Sequence, residues 1–155
     1  MQGLLIFVLR LFFVAAFFSV SLRSMEPALK INWLSDYEEA LRQSQAASKP
    51  ILLFFTGSNW CQACIKLKSE ALSTPEFIAA THDKYIFMII DFLPRIKVHT
   101  NLTYQASKLQ KKYEIVALPT VVITDSEGKK IGAHGYISGG GKIYAENLNK
   151  LINHQ

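Results

Sequence analysis

Cys61 and Cys64, separated by two residues, are the whole thiol complement of this 155-residue chain. Thiols at that spacing can exchange two electrons as a dithiol–disulfide couple, or they can supply half of a metal site. Zinc usually takes four Cys or His ligands. The chain has no second Cys pair, and His82, His99, His134 and His154 are scattered without ligand spacing. The redox reading is preferred, with no metal and no cofactor beyond the Cys61–Cys64 couple itself. Two cysteines also exclude a disulfide scaffold.

The surrounding sequence says how the pair is presented. Residues 51–55, Ile-Leu-Leu-Phe-Phe, are continuously apolar, as suits a central strand buried on both faces. A short polar loop, Thr56-Gly57-Ser58-Asn59-Trp60, follows, and helix-forming sequence begins at Cys61. At a helix start the unpaired N–H groups and the positive end of the dipole stabilise a thiolate, here on Cys61. One helical turn also brings Cys64 within the Cα separation of about 4.4–6.8 Å that a disulfide needs. Cys61 is thereby the attacking thiol, and Cys64, set deeper, resolves the mixed disulfide.

The other elements follow in order. Ser35 and Glu38 form an expected capping box opening a helix that runs to about residue 48, with Tyr37, Ala40, Leu41 and Ser44 on one face. A helix is expected over 61–72, with Ile65, Leu67 and Leu72 as its apolar residues. Thr74-Pro75-Glu76-Phe77 is a second helix-start signal. A strand is expected over 85–92, a loop over 93–102, and a helix over 103–113 packed through Tyr104, Leu109 and Tyr113. Residues 120–124 and 129–136 flank the turn Asp125-Ser126-Glu127-Gly128 and make a hairpin. Gly139-Gly140-Gly141 reads as a flexible joint before a last helix over 142–152, with Ile143, Leu148, Leu151 and Ile152 for packing. Strand–helix–strand units joined to a final hairpin predict an α/β fold, a mixed sheet with helices on both faces.

Trp60-Cys61-Gln62-Ala63-Cys64 after an apolar strand resembles the thioredoxin W-C-x-x-C. The longer string from Phe55 to Cys61 resembles bacterial exported thioredoxin-like disulfide reductases of the DsbH type, and the likeness runs from about Trp33 to the C-terminus. It implies the thioredoxin fold and a disulfide reductase. It also implies that Trp60 lines the substrate surface and that Pro119, in Leu118-Pro119-Thr120, is a cis-proline against the active-site sulfurs. The Leu118 backbone would then pair with bound substrate. Judged without the resemblance, Pro119 is an ordinary trans proline opening a strand. The chain departs from the thioredoxin pattern in one respect. The strand 51–55 lacks the acid that thioredoxins bury there as proton acceptor for the resolving thiol, and Phe87 and Met88 stand where its partner lysine often lies.

Residues 1–24 differ in kind from the rest. The run 4–22 is apolar apart from Arg10, Ser19 and Ser21, and no acid precedes Glu26. Arg10 can close a basic n-region ahead of an apolar h-region, and Ser19-Val20-Ser21 offers small residues for cleavage. The run is also near the roughly 20 residues that span a bilayer, so a membrane anchor is the rival reading to the favoured cleaved signal peptide, ahead of a domain at 25–155. Either implies export, to the periplasm in a bacterium. Losing Arg10 and Arg23 lowers the net charge from +5 to +3. No cluster of basic residues interleaved with aromatics points to nucleic acid.

The expected activity is therefore that of an exported thiol–disulfide oxidoreductase reducing protein disulfides. Its expected partners are disulfide-containing proteins and a membrane electron donor, and its expected state is a monomer. An isomerase or oxidase, and a copper or haem-maturation chaperone using the same cysteines, are the competing readings.

Overall fold

The computed structural model describes residues 29–93 and 101–153. The segment 1–24 and most of the expected loop, 94–100, lie outside the described residues. Five strands form one sheet: β1 (Trp33–Leu34), β2 (Ile51–Thr56), β3 (Ile86–Asp91), β4 (Thr120–Thr124) and β5 (Lys130–His134). Their spatial order is β1-β3-β2-β4-β5. β3 runs parallel to both β1 and β2, while β2–β4 and β4–β5 are antiparallel. The helices are α1 (Tyr37–Ala47), α2 (Gln62–Leu67), α3 (Pro75–Thr81), α4 (Asn101–Tyr113) and α5 (Gly140–Asn153), and a π-helical turn, Lys68–Leu72, continues α2.

β2 sits centrally, and every one of its six residues is buried. Its alternation divides the core in two. Leu52 and Phe54 face Leu67, Leu72, Phe77, Tyr144 and Leu148 on the side of α2, α3 and α5. Ile51, Leu53 and Phe55 face Tyr37, Leu109 and Tyr113 on the side of α1 and α4. The continuous apolar run thus does what a two-sided strand requires. Burying a large apolar side chain contributes about 1.5–3 kcal/mol, so β2 anchors both layers and, with them, the loop that follows it.

Several boundaries differ from the sequence expectations. Asp36, not Ser35, caps α1, its carboxylate accepting the Glu39 N–H at 2.7 Å. The Ser35 carbonyl instead accepts from Gln105 of α4, whose side-chain oxygen accepts the Tyr37 N–H. β1, unforeseen, is only two residues long, too short to show an alternation. The helix expected over 61–72 widens after Leu67, where the Ser73 N–H reaches the Lys68 carbonyl at 2.9 Å. The wider turn lets Leu67, Ala71 and Leu72 all face the core, whereas Ile65 is exposed. α4 begins at Asn101, and Tyr104, 74% exposed, lies on its outer face, opposite Ala106, Leu109 and Tyr113. Ile143 is likewise exposed on α5.

The glycine run is not a joint. Gly140 and Gly141 are the first residues of α5, and Gly141 is buried. A Cβ at Gly141 would overlap the Thr74 hydroxyl and lie 3.0 Å from both the Ala71 carbonyl and Phe77 Cβ. Glycine is what lets α5 approach α3 this closely. Thr74 caps α3, with Pro75 at the first position as its sequence indicated. On the other face Tyr113 donates to the Gly128 carbonyl and hydrogen-bonds Tyr37, which accepts from Lys112. This ties the hairpin turn to α1 and α4, and burial together with Tyr37 pushes the Tyr113 phenol above its ordinary range.

Candidate redox site

Cys61 is the N-cap of α2, in extended backbone, and its Sγ accepts the Cys64 N–H at 3.2 Å. The cap position arises because β2 ends at Thr56 and the loop turns back through the Cys61 N–H to the Gly57 carbonyl, 2.9 Å. Cys61 and Cys64 are joined as a disulfide with a Cα separation of 5.2 Å. Cys61 is 9% exposed and Cys64 only 1%. An incoming thiol or disulfide can thus reach the Cys61 sulfur more readily than that of Cys64. A helix N-terminus aimed at Sγ favours its anion once the bond is opened. Among the described residues no group of three His, Cys, Asp or Glu side chains could hold a metal ion.

Trp60 is 48% exposed and lies across Gly57, where a Cβ would collide with its indole ring. Its Nε1 donates to the Phe92 carbonyl. Trp60 and Cys61 line a cleft of about 410 Å³ together with Phe92, Ile115, Val116 and Leu118. The Leu118–Pro119 peptide bond is cis. Leu118, distant in sequence from Trp60 and Cys61, is thus brought with them to one recess beside the disulfide. Val116 is 96% exposed at its rim.

Val116 and Phe92 were not foreseen from sequence, and neither was the bridge between Ser58 and Asp91. The Ser58 N–H donates to Asp91 Oδ1 at 2.9 Å and its hydroxyl donates to Oδ2. A lone acid closing an otherwise apolar strand was the one available signal. Its partner could not be read without the β2–β3 register, which sets Asp91 beside Thr56. The Ile51–Thr56 strand carries no acid, as its sequence dictates, and its one polar side chain is Thr56.

A family model for the thioredoxin-like domain matches residues 37–152. The chain belongs to the thioredoxin-like family. The thioredoxin-like chain is 34% identical over 128 residues to the disulfide bond reductase DsbH of Chlamydia pneumoniae, covering 81% of this chain and 75% of that one. It is 33% identical over 118 residues to the thioredoxin-related protein DsbJ of the same organism, covering 73% of this chain but only 34% of DsbJ. A solved structure of a DsbH oxidoreductase matches with a TM-score of 0.77 and 30% identity, over 86% of this chain and 94% of that chain. With its two cysteines at the head of α2, this thioredoxin-like protein is a thiol–disulfide oxidoreductase of the Dsb type.

Proposed function

We propose that the protein is an exported reductase of protein disulfides, in which Cys61 attacks and Cys64 resolves. The observation that carries this reading is the asymmetry of the pair. Cys61 caps α2 and accepts an N–H at its sulfur, while Cys64 is enclosed. Reduced, Cys61 opens a substrate disulfide and is joined to one substrate sulfur. Cys64 then attacks Cys61, the substrate leaves as a thiolate, and the Cys61–Cys64 disulfide remains. The recess lined by Trp60, Val116 and Leu118 would hold apolar side chains next to the substrate cystine, and the Leu118 backbone beside cis-Pro119 would pair with the substrate chain. The similarity to a protein named disulfide bond reductase supports the direction. Catalysis of insulin reduction by dithiothreitol tests the reading. Precipitation of the reduced insulin B chain should start much earlier than without protein, and a Cys61→Ser protein should behave as the blank. No acceleration by the native protein would reject it.

Export is supported by the acid-free apolar run of residues 4–22. A reporter active only outside the cytoplasm, fused after residue 30, is expected to be active, and one active only inside is expected to be silent. The reverse pattern rejects export. The mass of the mature N-terminus separates cleavage near residues 19–24 from retention as an anchor. Outside the cytoplasm thiols are driven towards disulfides, so a reductase there would need a membrane electron donor to restore its dithiol.

A further inference from the structure

Cys64 has to lose a proton when it resolves the mixed disulfide, and its surroundings make this difficult. It is 1% exposed, and the adjoining β2 is buried throughout without an ionisable side chain. A thiol buried among apolar groups ionises less readily than a free one. One side of Cys64 is different. It faces a cleft of about 440 Å³ whose wall includes Thr56, Ser58, Lys68, Ser69 and Ser73. The cleft opens to the surface, and Thr56, Ser58, Ser69 and Ser73 in its wall carry hydroxyls, so water can reach this side of Cys64.

Ser58 connects that cleft to a base. It lines the cleft, and its hydroxyl donates to Oδ2 of Asp91, whose Oδ1 accepts the Ser58 N–H at 2.9 Å. Asp91 closes β3 in register with Thr56, one strand away from the disulfide loop. Among the described residues the charged group lining the cleft is Lys68, from the π turn, while β2 presents Thr56 and α2 presents Ile65. Lys68 favours a thiolate electrostatically, but as a cation it has no lone pair to receive a proton. Asp91 has one, and the Ser58 hydroxyl both accepts and donates.

We propose that Ser58 and Asp91 are the proton acceptor of the resolving step, an inference that rests on Cys64 being the resolving thiol. In the mixed disulfide the Cys64 proton passes through cleft water to the Ser58 oxygen, and the Ser58 proton moves to the Asp91 carboxylate. The Cys64 sulfur forms its bond to Cys61, the bond from Cys61 to the substrate breaks, and the electron pair departs on the substrate sulfur. Asp91 then returns its proton to solvent, and solvent protonates the substrate thiolate. Two electrons have passed from the dithiol to the substrate disulfide. Asp91 acts through Ser58 and is a positioning residue in this scheme.

Asp91→Asn is the informative variant, because the amide oxygen still accepts the Ser58 N–H and the amide NH2 can donate to the Ser58 hydroxyl, reversing that bond, while the base is removed. The full reduced chain is mixed with a peptide disulfide that releases a fluorescent thiol, and attack and resolution are timed separately by rapid quench across pH. Resolution in Asp91→Asn should slow about tenfold near pH 7 and approach the native rate by about pH 9.5, where hydroxide removes the proton unaided, a loss below the usual 10²–10⁴-fold range of acid–base catalysis because water remains a weaker acceptor. The Cys61 step should not change, and Ser58→Ala should show the same pH-dependent loss. An unchanged resolving rate overturns the proposal. So does an equal loss at every pH, which would make the bridge a brace for the loop. A Cys64→Ser control that fails to hold the mixed disulfide would instead overturn the assignment of Cys64.

Discussion

Cys64→Ser should accumulate mixed disulfides through Cys61, and Cys61→Ser should accumulate almost none. The reason is the enclosure of Cys64 against the cap position of Cys61. With Cys64 present, the mixed disulfide is attacked by a sulfur already one helical turn away, and oriented intramolecular attack runs at effective molarities of about 10⁵–10⁸ M. External thiols at ordinary concentrations cannot match that, so the Cys64→Ser adduct should persist. With Cys61 replaced, the remaining thiol is screened from a protein substrate. The measurement is a non-reducing gel of extracts expressing each variant, with and without reductant. Equal trapping by the two variants would sink the assignment of roles, and insulin reduction should fall to the uncatalysed rate in both.

The second large effect is the direction of electron flow. The reduction potential should lie nearer the roughly −270 mV of thioredoxin than the roughly −120 mV of the strongest oxidants with this active-site layout. A strong oxidant over-stabilises its reduced form, chiefly through a very acidic first thiol. Here Gln62 and Ala63 place no charge between the cysteines, and the main device visible at Cys61 is the N–H at its sulfur. Since about 30 mV corresponds to roughly 1.4 kcal/mol for a two-electron couple, the two limits differ by about 7 kcal/mol. Lys66 cannot bridge that gap. It is exposed, it stands 4.0 Å from Glu70 and over the Tyr136 ring, and exposed charges contribute at most about 1 kcal/mol. Equilibration against a glutathione buffer measures the potential. A value above about −150 mV on the same scale would falsify the reductase reading and leave an oxidase.

Much of this protein is written in short stretches of its sequence. The buried run Ile51–Thr56, the polar loop and the two cysteines at the next helix start state a redox site at the edge of a two-sided sheet, because burial on both faces and the turn-to-helix transition are local properties of the chain. The helices on either side of the sheet were legible as elements from apolar spacing, but not in every boundary or packing residue. Other features depended on groups that meet only after the sheet assembles. Ser35 gives way to Asp36 as a cap because its backbone is tied to Gln105, 70 positions on. Gly141 opens a helix rather than a joint because α5 lies hard against α3. Ser58 meets Asp91, and Trp60 meets the Phe92 carbonyl, across the β2–β3 register. Apolar periodicity marks an element and most of its buried face, although Tyr104 and Ile143, spaced for packing, are exposed. It does not fix which polar groups become neighbours, since that follows from strand order and register, which the packing of the whole core selects.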